Sequence, residues 1–150
     1  CPHCANFHIE VFPKIKEQYI DTGRAKVIFK DFPLDLAALN ASKLLQCAKK
    51  NQKLTLLNNI YEYQSDWTAG KSIEEININL LKIFNKFGMN NDQANNCLVD
   101  EDVEEEILNT RIHGHKKYKI DSTPTIIINE KKLEGSATFE NIKKKIEKLI

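Results

Sequence analysis

The sequence has no excess of either charge and no long apolar run. Its 22 lysine and arginine residues are balanced by 21 aspartate and glutamate residues, which leaves a net charge of +1. This balance gives no indication of a nucleic-acid or membrane-surface partner. No apolar stretch approaches the roughly 20 residues that a membrane span needs, and no signal peptide is recognisable. Internal repeats and low-complexity linkers are also missing, so the length predicts one ordinary domain with its own core.

Four cysteines are present, at positions 1, 4, 47 and 97. An even number can pair completely, which is compatible with an oxidising compartment without proving one. Cys1 and Cys4 form a Cys-x-x-Cys motif at the start of a predicted helix, and Pro2 suits the first helical position. The positive end of the helix dipole would stabilise a thiolate there. Cys1 is therefore the predicted nucleophile, and Cys4 is its resolving partner.

The residues between the two cysteines are expected to tune the thiolate. Next to Pro2, His3 could donate a hydrogen bond or place a positive charge beside the Cys1 sulfur. Alternatively, the cysteine pair is a structural disulfide, or half of a zinc site with His8 as a third ligand. Zinc usually draws on a second short pair, which the sequence lacks, so we predict no metal. Three histidines are then expected on the surface: His8, His113 and His115.

Apolar spacing and turn signals divide the chain into helix, strand, helical block, hairpin and helix. The predicted elements are a helix from Pro2 to about Ile20 with a bend at Pro13, a strand at 25–32, helices at 36–51, 54–66, 73–87, 91–98 and 101–117, strands at 124–129 and 132–134, and a helix from Phe139 to Ile150. Four residues are expected on the apolar face of the last helix: Ile142, Ile146, Leu149 and Ile150.

Three motifs carry a resemblance to a known family. Cys-Pro-His-Cys at 1–4 heads a helix, Asp-Phe-Pro-Leu-Asp at 31–35 follows the next strand, and Ser-Thr-Pro-Thr at 122–125 opens a hairpin. In this order, around a helical insertion, the whole chain resembles the DsbA-like family of thiol–disulfide oxidoreductases. The resemblance implies an α/β thioredoxin-like fold made of 1–35 and 118–150, interrupted by a helical domain at 36–117.

In the fold of that family, a strand just before the Cys-x-x-Cys motif lies in the middle of the sheet. That strand is missing here, so the strands near 28 and 127 would lose the neighbour between them. Unpaired backbone groups in a buried sheet cost about 1 to 3 kcal/mol each. We therefore expect a longer native chain, whose N-terminal part holds this strand and an export signal.

The resemblance also implies an activity. A dithiol oxidase would introduce disulfides into exported proteins through a Cys1–Cys4 disulfide and a mixed disulfide at Cys1. Thr123 and Pro124 would form a cis-proline loop beside the cysteines, where Thr123 offers backbone groups to an extended substrate peptide. No cofactor is expected. The expected partners are unfolded or folding exported proteins and a membrane redox partner, for a monomer in the periplasm or another extracytoplasmic compartment.

Other interpretations stay open. A reductase or disulfide isomerase would use the same residues, but isomerases of this kind usually dimerise through an added domain that 150 residues cannot hold. A non-catalytic peptide-binding module would use the cysteine pair only structurally. Cys47 and Cys97 are either two small buried hydrophobes or, as in some members of the family, a second disulfide without a catalytic role. In an oxidising compartment we favour the disulfide.

Overall fold

The computed structural model describes residues 1–150, which form two compact units. The first unit consists of 1–30 and 113–150, and the second, the helical unit, consists of 31–112. The division predicted from the sequence, with boundaries at 35 and 118, stays a prediction. None of the helices combines the length and the apolar composition that crossing a membrane requires.

A helical run from Pro2 to Ile20 begins the first unit, as the apolar spacing predicts. It consists of α1 at Pro2–Asn6, a π-helical segment at Phe7–Val11, α2 at Phe12–Ile15 and a second π-helical segment at Lys16–Ile20. Pro13 lies in α2 and has no N–H group to donate, and the helix changes its hydrogen-bond pattern on both sides of α2. Gly23 follows the run with a φ of +75°, in the left-handed region that favours glycine.

The strand predicted at 25–32 is not formed. These residues are extended, and none of them pairs with a strand of the chain. Val27, Ile28 and Phe29 keep exposed fractions of 41%, 64% and 44%. A β-branched apolar run becomes a strand only where a neighbouring strand takes up its backbone groups, and no segment of the described chain does so here.

One antiparallel hairpin makes up the sheet. Strand β1 at Ile127–Ile128 pairs with β2 at Lys131–Lys132. Asn129 and Glu130 form the turn with φ values of +47° and +67°, which is the backbone geometry of a tight two-residue hairpin loop. The strands are shorter than predicted, although the N–H of Leu133 still donates to the carbonyl of Ile126.

Helix α9 at Phe139–Glu147 closes the chain and packs on the first helical run. Its Ile142 and Ile146 are buried together with Ile15 and Tyr19. The expectation that Leu149 and Ile150 share this buried face is wrong. The helix ends at Glu147, so these two residues no longer follow the helical period, and both are exposed.

The helical unit has its own core around Leu44, Leu56, Leu80 and Phe84. Its elements are α3 at Leu36–Cys47, a 3-10 turn at Lys50–Gln52, α4 at Lys53–Glu62, α5 at Gln64–Trp67, α6 at Ile73–Asn85, α7 at Asn91–Leu98 and α8 at Glu101–Tyr118. The helices predicted at 91–98 and 101–117 agree in position with α7 and α8, and the one at 73–87 agrees with α6 apart from its last two residues. The first predicted helix ends at Cys47 and not at 51, and the one predicted at 54–66 is divided at Tyr63 into α4 and α5. The last six residues of α8 belong to the first unit.

Candidate active site

Cys1 occupies the N-cap position of α1. Its Sγ accepts a hydrogen bond from the backbone N–H of Cys4 at 3.2 Å, and Pro2 stands at the first helical position. The same N–H also donates to the carbonyl oxygen of Cys1 at 3.1 Å, so the sulfur shares a first-turn N–H group that points at the N-cap. Negative charge on Cys1 would lie at the positive end of the helix dipole, as the sequence predicts.

The two cysteines of the motif differ in their surroundings. Cys1 is exposed, whereas Cys4 is partly buried, and both are free thiols. Their Sγ atoms lie 2.7 Å apart, so a disulfide needs only a small movement. Burial raises the pKa of the Cys4 thiol, and the nearby Thr123 side chain offsets part of this increase. The exposed sulfur is thus the one that a substrate can reach, and the partly buried sulfur is the one that keeps its proton.

The loop at 122–125 lies against the Cys1 sulfur. The Thr123–Pro124 peptide bond is cis. The hydroxyl of Thr123 donates to Cys1 Sγ at 3.2 Å, and its carbonyl oxygen accepts from the Cys1 thiol at 3.5 Å. Within the loop, the hydroxyl of Thr125 donates to the carbonyl of Ser122 at 2.6 Å. The sequence predicts only backbone contacts from Thr123, so the hydroxyl contact with the sulfur is a further feature of the site.

Three histidines, His3, His113 and His115, lie on the surface. His3 is exposed, and the hydrogen bonds of the Cys1 sulfur come from Cys4 and Thr123. A tuning role for His3 therefore stays a prediction. His113 and His115 are exposed, in agreement with the prediction.

The surface position predicted for His8 is wrong. Its side chain is 5% exposed and stacks on Phe12, with the ring centroids 5.2 Å apart. The ring of Phe29 lies 5.8 Å from that of His8 and 5.2 Å from that of Phe12, so the three rings form one cluster. The spacing of four residues between His8 and Phe12 could have indicated this burial, because such residues share one face of a helix.

A disulfide joins Cys47 at the end of α3 to Cys97 in α7, with Cα atoms 6.4 Å apart. Lys43 stands four positions before Cys47 in α3. Its buried ammonium group donates to the carbonyl of Leu98 at 3.1 Å and pairs with the carboxylate of Glu104. These contacts connect α3, α7 and α8 within the helical unit. The sequence did not indicate that Lys43 is buried.

Comparisons with known proteins agree with this geometry. The sequence profile of a family described as thioredoxin matches residues 1–148. The crystal structure of α-DsbA1 from Wolbachia pipientis has a TM-score of 0.84 and 30% identity, over 99% of this chain and 80% of that one. A putative protein-disulfide oxidoreductase of Rickettsia bellii is 28% identical over 130 residues, which is 86% of this chain and 49% of that protein.

A further relative is disulfide bond formation protein D of Bacillus subtilis, which is 26% identical over 161 residues, or 99% of this chain and 67% of that protein. The chain spans about half the length of the first curated relatives that it matches. The predicted thioredoxin-like fold with a helical insertion is confirmed. On the profile match and the structural likeness together, the chain belongs to the thioredoxin family and, within it, to the DsbA-like proteins.

Proposed function

We propose that the protein is a thiol–disulfide oxidoreductase that works as a dithiol oxidase on exported polypeptides. The surroundings of the Cys1 sulfur support this most directly. The N–H of Cys4 and the hydroxyl of Thr123 each donate to it at 3.2 Å, and it caps the N-terminus of α1. Donors and a helix N-terminus favour a thiolate over a thiol. They therefore stabilise the reduced protein relative to its disulfide.

The proposed reaction begins with the Cys1–Cys4 disulfide. A thiolate of the substrate attacks the Cys1 sulfur and forms a mixed disulfide, while Cys4 leaves with the electron pair of the broken bond and takes up a proton. The raised pKa of Cys4 favours this protonation. The thiolate of the second substrate cysteine then attacks the sulfur of the first substrate cysteine, which is bonded to Cys1 in the mixed disulfide. A disulfide forms in the substrate, and Cys1 leaves as a thiolate. The substrate loses two electrons, and the protein gains them.

Further turnover needs an oxidant, and we propose that a membrane redox partner accepts the two electrons from the dithiol. The exposed Cys1 and the adjoining carbonyl of Thr123 supply the contact surface for both substrate and partner. The disulfide between Cys47 and Cys97 supports an oxidising, extracytoplasmic compartment. The monomeric state also belongs to this proposal.

Equilibration with mixtures of reduced and oxidised glutathione tests the direction of electron flow. The thiol fraction of Cys1 and Cys4 is read by alkylation at each ratio. We expect a potential well above the value of about −270 mV that thioredoxin has. A potential near that of thioredoxin would instead favour a reductase. A Cys1 thiol that resists iodoacetamide below pH 7 would favour the non-catalytic module.

A further inference from the structure

The two units carry net charges of opposite sign, which nearly cancel in the total of +1. The first unit, which holds Cys1 and Cys4, carries 14 lysines and arginines against 8 aspartates and glutamates, a net charge of +6. The helical unit carries 8 against 13, a net charge of −5. Histidine is counted as neutral in both. The positive charge of the chain therefore belongs to the unit that carries the reactive cysteines.

Part of this charge forms one exposed patch at the end of α8 and on the hairpin. We call it the basic surface, and its residues are Lys116, Lys117, Lys119, Lys131 and Lys132. Nζ of Lys132 donates to the carbonyl of Lys119, and Nζ of Lys119 donates to the carbonyl of Lys116, both at 3.2 Å. Lys117 pairs at 2.5 Å with Glu130 in the hairpin turn. These contacts hold the helix end and the hairpin side by side.

Only one of the five ammonium groups is paired with a carboxylate. The hydrogen bond between Lys117 and Glu130 raises the pKa of this lysine and lowers the pKa of this glutamate, so both stay charged and neutralise each other. The other four lysines are exposed and form no ion pair, and two further carboxylates, Asp121 and Glu134, stand nearby in sequence. The basic surface thus keeps an excess of positive charge.

The basic surface has no apolar face, and this favours a polypeptide over a membrane as its partner. Between 113 and 148 no large hydrophobic side chain is exposed, and Ile112, which precedes the surface on α8, is a single exposed isoleucine. Helices that bind a lipid interface bury an apolar face beside their lysines, and that face is missing here. The ammonium group of lysine is a mobile, strongly hydrated point charge, and it suits carboxylates in variable positions more than planar bidentate partners. Aspartates and glutamates of a flexible chain match this chemistry.

The basic surface adjoins the loop that contacts Cys1. Lys119 precedes this loop, the hairpin follows it, and the bond from Lys132 to Lys119 closes its base. Lys119 has a φ of +56°, in the left-handed region that favours glycine. Thr123 stands four positions after Lys119, so their Cα atoms are at most about 14 Å apart. About four residues of an extended substrate chain span the same distance.

We propose that the basic surface binds acidic segments of the substrate, so that the protein prefers cysteines with aspartate or glutamate about four residues away. This inference rests on the proposed function, because it concerns the substrate of the same site. Attraction between the basic surface and an acidic segment raises the association rate, and salt weakens it. The thiol–disulfide exchange itself proceeds as described for Cys1 and Cys4.

Three reduced peptides test the proposal. They share one pair of cysteines and differ only at the positions four to six residues away, which are aspartate, glutamine or lysine. The second-order rate constant for their oxidation by the disulfide form of the protein is measured by acid quenching and chromatography. At low salt we expect the acidic peptide to react about five- to tenfold faster than the basic one. In about 0.5 M NaCl the ratio should fall below about twofold.

A triple variant with Lys119→Gln, Lys131→Gln and Lys132→Gln should abolish most of this ratio. Its matched control carries Lys71→Gln, Lys82→Gln and Lys86→Gln in the helical unit, which removes the same charge from exposed, unpaired lysines. The control should keep the ratio of the unaltered protein. Because each ratio compares two peptides on one protein, a general loss of activity does not imitate the expected result. Equal ratios in the two triple variants would overturn the proposal.

A binding measurement separates this inference from the proposed function. Fluorescent peptides with serine in place of both cysteines are titrated with the protein, and their anisotropy is followed. Tighter binding of the acidic peptide, lost in the Lys119, Lys131 and Lys132 variant, would support the basic surface even if no peptide were oxidised. Equal binding of acidic and basic peptides would overturn it. Binding to phosphatidylglycerol vesicles through the same lysines, without any preference among the peptides, would also overturn it in favour of a membrane surface.

Discussion

Replacing Thr123 with valine removes a hydroxyl that donates to the Cys1 sulfur at 3.2 Å, while it keeps the size and branching of the side chain. A hydrogen bond to a charged group contributes about 1.5–3 kcal/mol. Because Cys1 is exposed and sulfur is a weak acceptor, we expect about half of this, or ~0.75–1.5 kcal/mol less stabilisation of the thiolate. For a two-electron couple this corresponds to a reduction potential lower by about 15–30 mV.

Equilibration with glutathione measures this change, and the pH at which iodoacetamide begins to label Cys1 should move upwards in the same variant. Thr125→Val is the matched control. It removes a hydroxyl from the same loop, but that hydroxyl donates to the carbonyl of Ser122 and not to the sulfur. The control should leave the potential within a few millivolts of the original, since 30 mV corresponds to about 1.4 kcal/mol. A Thr123→Val protein with an unchanged or higher potential would refute the role of the hydroxyl.

Three further predictions concern the other cysteines and the core of the first unit. Near neutral pH, iodoacetamide should label Cys1 and spare Cys4, because the raised pKa of Cys4 moves its labelling to pH values above those of an ordinary thiol. Peptide mass spectrometry identifies the labelled cysteine, and finding Cys4 labelled first would reverse the two roles. Replacing both Cys47 and Cys97 with alanine should lower the free energy of unfolding in denaturant by about 4 kcal/mol, because the bridge closes a loop across 50 positions; a loss below about 1 kcal/mol would contradict this estimate. Tyr19→Phe removes a 2.6 Å hydrogen bond to the Glu147 carboxylate and should lower the melting temperature. The hydrogen bond raises the pKa of Tyr19, and its proton is lost at alkaline pH, so the difference in melting temperature between the two proteins should shrink as the pH rises above 10.0.

The sequence is most informative where the determinants are local. The apolar period places the first helical run at Pro2 to Ile20, and the Cys-x-x-Cys spacing places Cys1 at its N-cap, because both depend only on neighbouring residues. The same local rules are insufficient at 25–32. β-branched residues favour extended backbone there, but a strand also needs a partner from elsewhere in the chain.

Burial that depends on distant partners is the other part that the sequence does not reveal. His8 packs against Phe12 of its own helical run and against Phe29, which lies 21 positions away. Lys43 is 4% exposed because Glu104, 61 positions away, supplies a carboxylate. The hydroxyl of Thr123 reaches a sulfur 122 positions away, and its direction depends on the geometry of the loop. No periodic pattern in the sequence encodes such pairs.

The N-cap bond from Cys4 forms with the first turn of α1, whereas the bond from Thr123 requires two segments 122 positions apart to meet. A nascent or unfolded chain lacks both donors, so its first cysteine would behave as an ordinary thiol. The Cys1 sulfur therefore becomes a strong nucleophile only after folding is complete, and each molecule can begin disulfide exchange only once its tertiary structure has formed. Conversely, the dithiol form should resist unfolding better than the disulfide form, because the bonds that stabilise the thiolate exist only in the folded state.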